Sequence, residues 1–131
     1  MKKIFLALAV CLAAGCTSKE EIAQAGAQNF LDAFLANDYE KAAGFCTDDF
    51  KVNFDRVTED FRNLDTNVRA LLVSECSQYT AKVVAAQNLN GSDTFKVGYK
   101  IIKAQASGDS IDNFITNTLT VVEGKVSRLG E

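Results

Sequence analysis

The chain has 131 residues, carries 14 basic and 17 acidic side chains for a formal charge of −3, and contains no histidine, tryptophan or proline. The absence of histidine excludes Ser-His and Cys-His nucleophiles and every metal site with a histidine ligand. The length allows one small domain, and the acidic net charge argues against nucleic acid or an anionic membrane surface as the partner.

The first 15 residues have the pattern of a secretory signal peptide. Lys2 and Lys3 form a positively charged start, residues 4–12 are an apolar run, and small residues follow at 13–15. The apolar run is shorter than the roughly 20 residues that a permanent membrane-spanning helix needs. We therefore expect residues 1–15 to be removed from the working protein.

The run ends in LAAGC at residues 12–16, which resembles the lipobox of bacterial lipoproteins. The resemblance implies cleavage before Cys16, a diacylglycerol thioether on its sulfur, and a fatty acid such as palmitate on its new amino group. Each buried methylene contributes about 0.8 kcal/mol, so several acyl chains would make a permanent membrane anchor. Thr17, where an aspartate would retain the protein in the inner membrane, implies an outer-membrane lipoprotein of the cell envelope. The alternative is an ordinary signal peptide with a chance cysteine.

Two of the four cysteines remain for the folded domain. Cys11 leaves with the signal segment and Cys16 carries lipid, so Cys46 and Cys76 remain as a pair in an oxidising, exported setting. A disulfide between them would close a loop of about 30 residues and contribute on the order of 3 to 4 kcal/mol. The alternative is two buried free thiols, and the sequence does not decide between them.

After a polar tether at residues 16–21, apolar periodicity predicts about three helices in a domain spanning residues 22–131. The first covers residues 20–36, and Asn37 or Asp38 caps a short second helix, with Glu40 as the capping-box partner of Asn37. Seven apolar positions from Phe50 to Leu71 follow a three-four spacing, which predicts a long third helix with a break near residues 53–58.

The second half of the domain has the alternation of β-strands. Strands are predicted at residues 77–86, 94–104, 111–122 and 126–129, with turns at 88–93, 107–110 and the Glu123-Gly124 pair. Helices followed by hairpin-connected strands predict an α+β domain, with about three N-terminal helices on a curved antiparallel sheet of about four strands.

Two stretches resemble the NTF2-like superfamily of α+β cones. The sequence FLDAFLANDYEKAA at 30–43 is similar to the opening of its small envelope members, those with DUF4878 or lumazine-binding-like domains. The ending VVEGKVSRL at 121–129 is similar to the last hairpin, with Val126 where many members have tryptophan. The resemblance implies a conical cavity and no particular activity. Six aromatic residues are the candidates to line this cavity: Phe34, Tyr39, Phe50, Phe54, Tyr99 and Phe114. The alternative for each of them is that its side chain only packs in the hydrophobic core.

The favoured function is a membrane-anchored, non-catalytic module that binds a small ligand or a partner protein and needs no cofactor. The alternative is a cofactor-free enzyme of the ketosteroid-isomerase type, which needs a carboxylate in an apolar cavity and a tyrosine near the developing oxyanion. Asp32 or Asp38 would serve with Tyr39 or Tyr99, although these aspartates suit a solvated helix face and a helix cap. Three lysines on the predicted 94–104 strand would either bind an anionic ligand or form an ordinary solvent-exposed or edge-protecting face: Lys96, Lys100 and Lys103.

Overall fold

The computed structural model describes residues 18–91, 93–104 and 114–130. The predicted signal segment, Cys11, Cys16 and the predicted 107–110 turn lie outside these residues. In the described part of the chain four helices precede four strands, which confirms the α+β prediction and adds one helix to the expected three. The helices are α1 (Lys19–Leu35), α2 (Tyr39–Ala43), α3 (Asp48–Arg62) and α4 (Thr66–Cys76). The strands are β1 (Tyr79–Asn88), β2 (Thr94–Lys103), β3 (Phe114–Val122) and β4 (Lys125–Leu129).

Helix α1 begins at a capping box formed by Ser18 and Glu21. The Glu21 amide donates to Ser18 Oγ at 3.1 Å, and the Ser18 amide donates back to Glu21 Oε1 at 3.4 Å. The helix therefore starts three residues before the predicted domain boundary, and the capping box lies here, not at Asn37 and Glu40. Small and aromatic residues on its inner side are buried: Ala23, Gly26, Ala27, Phe30, Leu31 and Ala33.

The break in the long predicted helix is at residues 63–65, so the prediction of a break near 53–58 is wrong. Within α3 the Thr58 hydroxyl donates to the Phe54 carbonyl oxygen at 2.8 Å, one turn back, and does not cap a new helix. Asp65 is the cap of α4 instead, because its Oδ2 accepts from the Asn67 amide at 3.0 Å. The short α2 is capped by Asp38, whose Oδ1 accepts from the Lys41 amide at 3.2 Å.

The strands form one open antiparallel sheet in the order β1-β2-β3-β4. Helix α1 packs mainly on β1 and touches the other three strands as well, which defines the inner face of the sheet. The register places Phe95 opposite Val121 and Val97 opposite Leu119, and all four are buried on this face. In β1 the register shifts between Val83 and Ala85, which is a β-bulge at Val84.

Both edges of the sheet have hydrogen-bond partners that are not strands of the sheet. At the β4 edge, the Val126 amide donates to Phe45 O at 2.8 Å and the Thr47 amide donates to Val126 O at 2.9 Å. At the β1 edge, the Gln28 side chain accepts from the Val83 amide at 3.0 Å and donates to Ala81 O at 2.9 Å. These contacts occupy the backbone groups that an added strand would use at those positions.

The N-terminal half of α1 lies directly on the β3–β4 turn. Glu123 and Gly124 both have positive φ, at 51° and 81°, as a two-residue type I′ hairpin requires. A Cβ atom on Gly26 would lie 2.1 Å from Gly124 O, so only glycine allows this approach. Lys19 Nζ lies 2.7 Å from Asp93 Oδ1, and this hydrogen bond and charge pairing raise the pKa of Lys19.

Candidate functional site

Four of the predicted pocket residues meet in one aromatic cluster between α1, α2 and α3. The ring centroids are 5.6 Å apart for Phe34 and Tyr39, 6.0 Å for Phe34 and Phe54, and 5.2 Å for Phe50 and Phe54. Phe30 and Phe61 complete the cluster, with centroids 5.2 Å from Phe54 and 5.1 Å from Tyr39 respectively. All five of these pairs are edge-to-face, one of the arrangements that aromatic rings prefer in packed interiors, whereas Phe30 and Phe34 are stacked.

The rings of this cluster lie in the buried core or pack against it. Phe54 is 3% exposed and Tyr39 is 9% exposed, and both belong to the buried core. Among the surface depressions of the described chain, one of about 490 Å³ is bordered by charged side chains between α2 and α3, and Phe61 is the member of the cluster that lines another, beside α4. Phe34 and Phe50 are half-buried and pack against this core.

The remaining two predicted pocket residues come from the sheet. Tyr99 lies on the inner face of β2, opposite Val83 and Asn117, and burial raises the pKa of its hydroxyl. The backbone of Phe114 pairs with Ile102 at the start of β3, and its side chain lies outside what the structure describes. Tyr99 thus shares the buried core with the aromatic cluster but approaches it from the opposite layer.

The carboxylates considered for catalysis have structural roles on the surface. Asp32 is exposed and accepts from Gln28 Nε2 at 2.9 Å, and Asp38 caps α2. The Tyr39 hydroxyl accepts from Asn37 Nδ2 at 2.8 Å. No polar or charged residue of the described chain is buried, so its acidic groups do not lie in an apolar interior. The same residues contain no group of three Cys, Asp or Glu side chains able to hold a metal ion.

Cys46 and Cys76 are both free cysteines in the structure and have different neighbours. Cys46 is 3% exposed beside β4, and its thiol donates to Ala42 O at 3.3 Å. Burial raises the pKa of this thiol to about 11, against a smaller opposing effect of Lys125. Cys76, at the end of α4, accepts from Asn37 Nδ2 at 3.8 Å.

The outer face of the sheet, opposite α1, is basic. The register puts Lys82 directly opposite Lys100, Lys96 opposite Thr120, and Thr120 opposite Arg128. We call this surface the basic face. It is defined by seven residues whose register places them on the outer side of the sheet: Lys82, Lys96, Lys100, Thr116, Thr118, Thr120 and Arg128.

The predicted lysine cluster is therefore divided between the two faces of the sheet. Lys103 lies on the inner face, where its Nζ is 5.8 Å from the centre of the Tyr79 ring. Lys82 and Arg128 take part in the basic face instead. Sequence reasoning missed them because only the pairing of strands that are distant along the chain brings them beside Lys96 and Lys100. The alternation of β2 alone was enough to separate Lys103 from the other two.

Helix α4 is a second surface that the sequence did not predict. None of its residues is buried, and four large apolar side chains are exposed, from 37% for Leu72 to 70% for Leu71. A hollow of about 480 Å³ runs along it between Phe61 and Ser74. The three-four spacing predicted that Val68 and Leu71 continue one long helix from Phe50, but the break at residues 63–65 separates α4 from α3.

Within the described ranges, no helix is both long enough and apolar enough to cross a membrane. Comparison of the chain with protein-family models, with curated proteins and with solved structures found no match. The functional argument therefore rests on the residues and geometry of the chain itself.

Proposed function

We propose that this chain is the precursor of a lipid-anchored protein of the cell envelope, and that its folded part is a non-catalytic binding module. The observation that carries the proposal is the LAAGC stretch at residues 12–16, which is followed within two residues by the Ser18 cap of α1. A lipid on Cys16 would hold the domain close to the membrane on a very short tether. Thr17 after the cysteine supports the outer membrane as the location.

The order of elements supports an NTF2-like fold for the domain. Helices come first, four antiparallel strands follow in sequential order, and α1 crosses the inner face of the sheet. The hairpin at Glu123 and Gly124 has the two-residue turn that the resemblance implies for the end of the chain. In this proposal the aromatic cluster between α1, α2 and α3 is part of the core, and binding takes place on the surface.

The packing also supports a binding module over the cofactor-free enzyme. Catalysis of the ketosteroid-isomerase type needs a carboxylate in an apolar pocket beside an oxyanion donor. Asp32 is exposed and Asp38 is engaged in a helix cap, while Tyr99 is buried in the core. These groups therefore do not form the pair of a buried carboxylate and a neighbouring tyrosine that such an enzyme needs.

The anchor is tested by metabolic labelling with a clickable fatty acid in a bacterial host that processes lipoproteins. We expect label on the wild-type chain, its loss in Cys16→Ala, and accumulation of the unprocessed precursor with a signal-peptidase II inhibitor. Cys11→Ala is the matched control, because it removes a cysteine of the signal segment and should leave labelling unchanged. An unlabelled wild-type protein would refute the lipid anchor.

The absence of catalytic activity is tested by substrate and ligand screening of the purified full chain in detergent. A panel of enolisable ketones should give no turnover above the buffer rate. Turnover that Tyr99→Phe or Asp32→Asn reduces by tenfold or more would establish the enzyme alternative and contradict the binding module.

A further inference from the structure

We infer that helix α4 pairs with α4 of a second copy of this chain when both copies are anchored in the same membrane. The contact surface is the α4 stripe, which we define as Val68, Leu71 and Leu72. The inference deepens the proposed binding module by naming its partner, and it rests on the proposed lipid anchor at Cys16 for the placement of the two copies.

The α4 stripe has the pattern of a helix face that packs against another element. Val68, Leu71 and Leu72 stand at i, i+3 and i+4, so their side chains share one side of the helix. In a packed domain such a stripe faces the core, yet here the three residues are 49%, 70% and 37% exposed. No residue of α4 is buried. The helix therefore presents an apolar side that the described part of the chain does not cover.

The opposite side of α4 faces the rest of the domain. Arg69 Nη1 donates to Arg62 O, the carbonyl at the end of α3, at 3.1 Å. Ala70 and Val73 line the hollow of about 480 Å³ together with Phe61. At 3.6 residues per turn, positions 69, 70 and 73 lie across the helix from positions 68, 71 and 72. The α4 stripe is therefore the outer side of a helix whose inner side is attached to α3.

Charge permits self-association at α4 and opposes it elsewhere on the helical layer. Helix α1 has three acidic residues and one basic residue, and α3 has five acidic and three basic. Two copies that met through α1 or through α3 would repel each other, because each helix brings a net charge of −2. Helix α4 has one acidic and one basic residue, so it brings no net charge to a contact with itself.

The tether determines where α4 lies relative to the membrane. Only Thr17 stands between Cys16 and the Ser18 cap, and the 17 residues of α1 extend for about 25 Å. The end of α4 is at the far end of α1, where Cys76 accepts from Asn37 Nδ2 at 3.8 Å. Two copies anchored in one leaflet therefore hold their stripes at the same height. A two-fold axis along the membrane normal then brings one stripe onto the other.

A second copy is the occupant whose matching surface is present in the structure. A two-fold contact uses the same patch on both partners, so one apolar stripe is enough to form it. The length of α1 separates the stripe from the bilayer that holds the lipid. The segment 105–113 has one large apolar side chain, Ile111, which is too little to cover the three of the stripe.

The small size of the contact makes the pairing depend on the anchor. An 11-residue helix is about 16 Å long and about 10 Å wide, so its outer side falls well short of the roughly 800 Å² per partner in a standard interface. Free chains at micromolar concentration are therefore monomeric, and denaturation of α4 variants there reports on the fold alone. Anchoring in one membrane raises the effective concentration toward the millimolar range, where such a contact forms.

The test cross-links the lipidated chain in phosphatidylcholine vesicles through one reactive thiol, introduced as Glu75→Cys one turn along from the stripe. Cys76→Ser removes the half-buried native thiol, Cys46 is 3% exposed, and the sulfur of Cys16 carries the lipid in this proposal. After treatment with a short bismaleimide, a denaturing gel gives the fraction of cross-linked dimer. We expect a dimer band at surface densities that bring anchored copies together.

Two matched substitutions in this background show whether the stripe makes the contact. Leu71→Gln should lower the dimer fraction about tenfold at equal surface density, because each copy loses a buried leucine from the contact. Ile115→Gln removes an apolar side chain of similar exposure, 64%, from β3 and should leave the dimer fraction unchanged. Circular dichroism and the thermal midpoint establish that both variants are folded.

Fatty-acid labelling of the same preparation separates this inference from the lipid anchor. Labelled chains that give no dimer band, or a band that Leu71→Gln does not reduce or that Ile115→Gln reduces equally, would overturn the pairing and leave the anchor intact. An unlabelled chain would refute the anchor. The same Leu71→Gln comparison in detergent at about 1 mM chain would then decide the pairing by itself.

Two other occupants of the stripe have outcomes of their own. If the thiol at position 75 reacts more slowly with a water-soluble maleimide on sparsely loaded vesicles than in detergent, the bilayer covers the stripe. If this thiol cross-links in the producing cells to a different protein and not to a second copy, the stripe binds that protein. Either result would overturn the inference.

Discussion

Replacing Gly26 with alanine tests the close contact between α1 and the β3–β4 turn. The new Cβ atom would lie 2.1 Å from Gly124 O and 3.0 Å from Gly124 C, and both atoms belong to the backbone. No rotamer change can relieve this overlap, so the helix and the hairpin would have to separate by about 1 Å. A gap of that size costs neighbouring atoms a quarter to a half of their dispersion energy.

The magnitude follows from two opposing effects. Overpacking of this kind costs about 3 kcal/mol at the upper end of its usual range, because both partners are backbone. Alanine is better than glycine in a helix by about 1 kcal/mol. The expected result is a net loss of about 2 kcal/mol in the free energy of unfolding, which lowers the melting temperature by about 8 °C for a domain of this size.

Urea denaturation followed by circular dichroism measures the effect. Gly44→Ala is the matched control, because Gly44 is in the right-handed helical region at φ −64° and its Cβ would meet only Lys41 O, at 3.2 Å. We expect that variant to change stability by less than about 0.5 kcal/mol. If Gly26→Ala proved as stable as the wild type or more stable, helix propensity would be the only effect present and the close approach would be refuted.

Two further predictions concern α4 and the free thiols. Leu71→Ala should change stability by less than about 0.5 kcal/mol because the side chain is 70% exposed, whereas a core leucine would cost about 2 to 5 kcal/mol in the same urea titration. Burial raises the pKa of the Cys46 thiol from 9.0 to about 11, so the thiol loses its proton at a lower pH in the unfolded chain than in the folded one. The free energy of unfolding should therefore fall as the pH rises from 9 to about 11. Comparison with Cys46→Ala at pH 8 and pH 10.5 isolates this effect, and a wild-type advantage that does not shrink would contradict it. Mass measurement with and without reductant distinguishes two thiols from a Cys46–Cys76 bridge.

Features that depend on neighbours along the chain were predictable from the sequence. The helix over residues 20–36 and the strand over 94–104 agree with α1 and β2 within a residue or two, because each has a clear period of its own. The Glu123-Gly124 turn was predictable for the same reason, since its positive φ values need residues that tolerate them. The predictions of a signal segment and of a lipid on Cys16 depend on the sequence alone.

Tertiary structure decided the rest. The three-four spacing continues through residues 63–65, so periodicity could not show that α4 leaves the core and exposes Leu71. Of the aromatic residues proposed for a pocket, Tyr39, Phe54 and Tyr99 are buried and Phe34 and Phe50 are half-buried. Only the distances between the rings show that the four residues on the helices pack on one another.

The basic face depends on strand register. Lys82 and Arg128 are 46 residues apart along the chain and join Lys96 and Lys100 only after four strands have paired. The sequence determines the sign of these charges and, through the period of two in a strand, the side of its own strand on which each lies. Their convergence on one surface is set by pairing between distant segments, which local sequence patterns do not encode.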